Sequence, residues 1–178
     1  MVIIYFILSL FAFKQETRYV IENSTIEFYS YALLEDIQAI NTESIGAIDL
    51  ESKEFIIKIP VSAFEFPNKL MQKHFNDSYL ETDKYPECIF KGTIDEDIAS
   101  GEITLHGVTK EIQIPAVITE EGDKIKINTE FKIALKEHKI KIPRLLFQNI
   151  AEEIEVKVSS TFTKFQEQWE LELQVHLG

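Results

Sequence analysis

The sequence predicts an all-β, antiparallel fold, and three observations carry that prediction. Apolar and polar residues alternate over long runs, turn residues separate those runs, and one short segment alone breaks the two-residue period. Alternation of this kind sets one face of a strand on a core and the other in water. Strands joined by short turns must be antiparallel, because parallel neighbours need a crossover of about a dozen residues or more. Regular short strands build either a sandwich or a closed barrel.

The elements follow in chain order. Residues 1–13 are apolar apart from Ser9, and the first charge is Lys14. A membrane-spanning helix needs roughly 20 apolar residues, so this run is too short for an anchor and has the length of a signal-peptide hydrophobic segment. Without export, it reads as a first strand or a buried amino-terminal segment. Ile26 and Phe28 flank Glu27 as the first strand pattern, and Phe55-Ile56-Ile57-Lys58-Ile59-Pro60 is apolar on both faces at its start. The latter predicts a more central or covered strand. Residues 67–75 lack alternation, begin with Pro67 and space Met71 and Phe75 four apart, which predicts a short helix. Asn76-Asp77-Ser78 reads as a turn, and the polar stretch 81–84 as a surface connection. Gly101 is expected to open a strand carrying Ile103 and Leu105, and Gly107 to separate it from Ile112/Ile114/Ala116/Ile118. Glu121-Gly122-Asp123 turns into the longest alternation: Ile125, Ile127, Thr129, Phe131, Ile133 and Leu135 on one face. Ile154, Val156 and Val158 form another strand. At the carboxyl end Trp169, Leu171, Leu173, Val175 and Leu177 alternate as a strand, although Phe165, Trp169 and Leu173 also share a helical spacing.

No repeat or Gly/Ser linker divides residues 15–178, so they are read as one domain behind a 1–14 segment. Lys plus Arg number 18 against 30 Asp plus Glu, a formal charge of −12. That balance argues against nucleic acid, whose phosphates require a basic surface, and against a polybasic anchor on anionic lipid. Permanent membrane insertion is not expected. A lone cysteine, Cys88, excludes an intramolecular disulfide and a multi-cysteine zinc site.

The search for catalytic chemistry finds no foothold. His74, His106, His138 and His176 lack a second ligand at a metal-binding interval, and no phosphate loop or nucleophile elbow is present. Glu152 and Glu153 point to opposite faces of a strand and read as its solvated start. Cys88 precedes Ile89 without a cation to make it a thiolate, and reads as a small buried hydrophobe. No catalytic residue, metal or cofactor is expected. The excess instead lies in inward apolar face. An eight-stranded barrel has an interior that its own side chains fill or that holds one small ligand. Composition alone leaves both outcomes open.

Three stretches carry a resemblance that bears on the choice. They are Ile59-Pro60-Val61-Ser62-Ala63-Phe64-Glu65-Phe66 continuing through Leu70–Glu81, then Lys84-Tyr85-Pro86-Glu87-Cys88-Ile89-Phe90-Lys91-Gly92, then Gly101–Lys110 with its His106-Gly107-Val108-Thr109-Lys110 signature. In this order and spacing the chain, from about Tyr19 to Phe162, closely resembles the YceI-like family of bacterial proteins. The resemblance implies an extended antiparallel lipocalin-like β-barrel of about eight strands. It also implies a long hydrophobic cavity for a polyisoprenoid or other lipophilic chain, export to the periplasm, and no catalytic residues. Gly107 is expected to supply a positive φ at a tight hairpin, with His106 and Lys110 serving the turn or a nearby contact.

The expected function is therefore non-enzymatic carriage of an isoprenoid or fatty chain. Inward position by alternation nominates Phe28, Phe64, Phe66, Leu70, Phe90, Ile103, Leu105, Phe131 and Ile133 as cavity lining. The alternative is a structural or interaction module with a filled core, whose carboxyl-terminal edge strand within 163–178 recruits a partner and admits a homodimer. An enzyme on a lipophilic substrate lacks an identifiable nucleophile or acid/base pair.

Overall fold

The computed structural model describes residues 18–31, 36–141 and 152–165. Ten strands form one curled antiparallel sheet: β1 Arg18–Ser30, β2 Ile37–Asn41, β3 Ile45–Asp49, β4 Glu54–Pro60 and β5 Glu87–Asp95. They continue as β6 Ile98–Leu105, β7 Val108–Pro115, β8 Val117–Glu121, β9 Lys124–Ala134 and β10 Glu153–Lys164. The order across the sheet is β7-β6-β5-β4-β3-β1-β10-β9-β8, with β2 also paired to β1. The apolar segment 1–14 and the strand expected over 169–177 lie outside the described residues. No described helix is long and apolar enough to cross a membrane.

One of the strands beyond the expected eight arises because one side of β1 is shared. Arg18–Val20 pair with β3, whereas Ile26–Ser30 pair with β2. The break between those two strands is built by Asn41, which is fully buried. Its Nδ2 donates to the Pro60 carbonyl at 2.8 Å and its Oδ1 accepts from the Glu43 amide at 2.9 Å. An Asx turn of this kind diverts the chain by replacing ladder bonds with side-chain bonds.

The two ends of the sheet order, β7 and β8, are consecutive in sequence and meet at buried Ala116. One run of chain thus leaves β6 and joins β9, so the curl is completed through covalent continuity at Ala116. The half-barrel needs no extra ladder there to hold its edges together.

Alternation sets the registers. On β9, Ile125 and Ile127 are buried and Lys126 and Asn128 exposed. On β4 the pattern also alternates: Phe55 is buried and Ile56 exposed, so this strand is covered on its inner face only. Gly101 lies inside β6 opposite Gly92, and does not open the strand as expected. A Cβ there would meet the Lys91 carbonyl oxygen at 2.1 Å, so the glycine marks a close backbone approach.

The connection from β4 to β5 caps one end of the barrel. It comprises a 3₁₀ turn at Val61–Ala63, the helix α1 at Lys69–His74 and a π-helical turn at Phe75–Tyr79. Asn68 caps α1, its Oδ1 accepting from the amides of Leu70 at 3.0 Å and Met71 at 3.2 Å. The expected helix over 67–75 therefore starts two residues later, with Pro67 leading into the cap. It also continues through the residues 76–78 expected to turn.

Candidate functional site

The inner faces of the strands and the underside of the cap enclose a cavity of about 180 Å³. At roughly 10–15 Å³ per water-sized sphere, that is space for on the order of a dozen small heavy atoms. The interior is neither plugged by its own side chains nor a wide tunnel. Its wall is almost wholly aliphatic and aromatic.

Eight of the nine nominated residues stand in that wall: Phe28, Phe64, Phe66, Phe90, Ile103, Leu105, Phe131 and Ile133. Leu70 does not; it is 62% exposed. It sits on α1, where successive side chains are about 100° apart, so the neighbour that turns inward is Met71. Met71 and Phe75, whose four-residue spacing announced the helix, both reach the cavity, as do Tyr79 and Leu80 beyond them. The last two escaped sequence reading because a π-helical turn has no simple period. Ile154, Val156 and Val158 also line the cavity, and their alternation alone was signal enough to find them.

Four phenyl rings gather under the cap. Phe28 of β1 lies 5.3 Å from Phe64, 5.7 Å from Phe66 and 5.6 Å from Phe75, centroid to centroid. Phe66 and Phe75 are 4.9 Å apart and tilted. These are the separations and offset geometries at which aromatic pairs attract beyond simple burial. A second pair, Phe55 and Phe90 at 4.7 Å, faces the interior from β4 and β5.

Burial changes along the inward row of β9. Ile125 and Ile127 are fully buried, whereas Thr129, Phe131 and Ile133 are only half-buried. Ile127, Thr129, Phe131, Ile133 and Leu135 of this row line the cavity, together with Ser160 and Phe162 of β10 beside its start.

Outside the wall, the cap is clasped to the barrel by His106. Its Nδ1 lies 3.0 Å from the His138 carbonyl oxygen and its Nε2 3.1 Å from a Glu81 carboxylate oxygen. Tyr85 packs edge-on against the His106 ring at 4.5 Å. His106 itself takes a φ of 51° and Gly107 one of 70°, as a tight hairpin turn requires. Glu81 and Lys139 share the left-handed region at 44° and 56°. Three segments in unusual backbone geometry thus converge on one imidazole. Their neighbours Leu80, Leu105, Leu135 and Ile140 form part of the cavity wall. Lys110 is exposed on β7.

Burial shifts titrating groups in this region: it raises the Tyr79 phenol of the cap, and it acts on Cys88 and His138. Cys88 lines the cavity, and desolvation pushes its thiol up to about 12. Desolvation likewise lowers the His138 imidazole below its ordinary value, opposed in part by backbone hydrogen bonds to Val108 and Leu105. Among the described residues no cluster of acidic, histidine and cysteine side chains is arranged to hold a metal.

Comparison with known proteins adds the following. The polyisoprenoid binding domain from Saccharophagus degradans, implicated in plant cell wall breakdown, superposes with a TM-score of 0.73 at 15% identity, over 85% of this chain and 100% of its own. Burkholderia cenocepacia BcnA superposes with a TM-score of 0.68 at 12% identity, over 78% of this chain and 95% of its own. A mutant Campylobacter jejuni YceI protein gives 0.56 at 20% identity, over 70% and 81%. At such identities these likenesses show the fold. No match is found among curated proteins. The family model for the YceI-like domain matches residues 19–162, which hold every strand except the outermost residues of β1 and β10, together with the cap and the His106 clasp; the chain belongs to the YceI-like domain family.

Proposed function

We propose that this protein binds a lipophilic chain, a polyisoprenoid or similar amphiphile, inside the barrel and carries it without chemical change. The observation that carries this reading is the apolar cavity of about 180 Å³ walled by strands and cap together. Each buried methylene is worth about 0.8 kcal/mol, so a dozen give about 10 kcal/mol gross, from which association entropy is subtracted. Hydrocarbon burial alone therefore supplies usable affinity without polar chemistry. The Saccharophagus degradans domain of the same fold is described as polyisoprenoid binding, which supports the class of ligand. The filled-core alternative draws no support from a wall that leaves this much space. Export accompanies the proposal: residues 1–14 have the composition of a signal-peptide hydrophobic segment, and a periplasmic carrier would lose them.

Organic extraction of the natively expressed, purified protein, followed by mass spectrometry, tests the ligand. A stoichiometric prenyl or fatty species is the expected result. No extractable lipid together with no uptake of an added prenyl chain overturns the proposal. Intact-mass measurement of the same sample tests export, which a retained Met1 would contradict.

A further inference from the structure

The inward residues of β10 show where the cavity stops. Val156, Val158, Ser160 and Phe162 each stand between one partner on β1 and one on β9. Both partners of Val156 and of Val158 line the cavity. Beside Ser160 only Ile127 does, because Ser24 is turned to the Ser44 hydroxyl at 2.6 Å. Beside Phe162 neither partner does: Ile21 and Ile125 stand outside the wall, and Phe162 alone borders the space. The cavity thus narrows from three strands to one over about 20 Å of β10, at about 3.4 Å per residue. Phe162 is 1% exposed and is the largest fully buried side chain among the described residues. Ile125 beside it and Tyr19, the next inward residue of β1, are buried as well. The register of β1 against β10 also shifts between Ile21 and Asn23, a bulge at the level of the Phe162 ring. Bulges bend a strand and re-aim its side chains, and this one sits where the cavity closes.

We infer that Phe162 is the stop that sets chain length, and that the ligand is a short lipophile burying about 10–15 carbons, its buried end apolar. The inference rests on the reading of the cavity as a lipophile site and narrows it to one length class. A space of about 180 Å³ lies below the roughly 300–1,000 Å³ of sites that enclose drug-sized ligands, and far below the bulk of a long polyprenyl chain. A chain laid along the inward residues of β9 and β10 ends against the Phe162 ring. A shorter chain leaves wall atoms without contacts. A longer one leaves its remainder in water or has to displace the ring. Displacement is resisted because Phe162 is held on a ladder paired on both sides, in a part of the interior with no space left to give.

The test measures binding of the 1-alkanols from 1-octanol to 1-octadecanol to the delipidated full chain and to Phe162→Leu and Phe162→Ala variants. Each added methylene that finds space should raise affinity about fourfold. In wild type the rise is expected to stop between about 10 and 15 carbons, where the cavity is full. Phe162→Leu should move that stop to a longer chain, and Phe162→Ala should move it further. A stop at the same length in wild type and both variants overturns the role of Phe162 and leaves the lipophile site standing. A wild-type rise that continues unbroken to 1-octadecanol overturns the length limit. Failure of wild type to bind any alkanol overturns the lipophile site itself. Circular dichroism shows whether each variant folds; should Phe162→Ala not fold, Phe162→Leu, which keeps most of the buried apolar area, decides by the same criterion.

Discussion

At Gly107 two separate requirements fall on one Cα. Its φ of 70° lies in the left-handed region, and a Cβ built there would stand 2.6 Å from Cε1 of Tyr85. Tyr85 in turn rests on His106, the residue that clasps the cap to the barrel. Gly122 separates the two requirements: it has a φ of 63° but nothing within 4 Å of its would-be Cβ. Gly122→Ala should therefore cost about 1 kcal/mol, for the backbone alone. Gly107→Ala should cost about 1–3 kcal/mol more, because the Tyr85 ring must move and pull on His106. Urea unfolding of both variants checks this through their midpoints at unchanged slope, and equal losses would show that the ring contact is unimportant. The turn glycine was legible from sequence, since tight hairpins call for it. The half-buried partner across from it was not, because Tyr85 and Gly107 come together only when the cap folds back over the barrel.

The cap is the element on which cavity and fold depend together. Phe75 packs against Phe28, Phe64 and Phe66 at one end of a π-helical turn, and its carbonyl accepts from the Leu80 amide at 2.9 Å. Phe75→Ala should cost about 3–5 kcal/mol, the range for emptying a packed aromatic site, and should weaken ligand binding in parallel. Leu70→Ala, on the outer side of α1, should change stability by no more than about 0.5 kcal/mol and leave binding intact. Calorimetric melting with and without a bound fatty alcohol checks both, and a large effect at Leu70 would contradict the orientation of the helix. Sequence reading placed this helix correctly from Pro67 and the Met71/Phe75 spacing. It misassigned Leu70 because a two-residue period was carried into a segment that rotates by 100° per residue. On the strands the same rule worked, since alternation and inward orientation are there one and the same property. Six of the eight nominated residues in the wall lie on strands, Phe64 and Phe66 flank the Glu65 bridge to Ile40 in the cap connection, and the ninth, Leu70, sits on the helix.

At the scale of the whole molecule, burial against an apolar interior favours the neutral forms of the titrating groups placed there, and this bears on how stability varies with pH. Neither the curl of the sheet nor its completion through Ala116 is written in any local pattern, yet both fix which side chains lose water. Cys88 and His138 carry opposite signs. The His138 imidazole is lowered by desolvation, so the folded chain takes up its proton less readily than the unfolded chain, whose histidine titrates near about 6.5. Its contribution is present above that value and is lost as pH falls through the folded value. The Cys88 thiol is raised to about 12, whereas an unfolded cysteine titrates near about 8.5. Below that lower value the contribution is complete. Above it the unfolded chain releases a proton that the folded chain keeps, so stability falls as pH climbs toward about 12. One such group gives a slope of about 1.4 kcal/mol per pH unit at most. Lysines and tyrosines titrate over the same range, so the informative quantity is the difference between wild type and Cys88→Ala, measured by urea unfolding from about pH 7 to 11. That difference should be constant at neutral pH and should shift steadily in favour of Cys88→Ala above about pH 9. Because Cys88 lines the cavity, its alkylation by a small maleimide at pH 8 should be slow, and slower still when a fatty alcohol is bound. A native thiol that reacts at the rate of a free cysteine would show that water reaches the wall, and that the interior is not the dry compartment on which hydrocarbon binding relies.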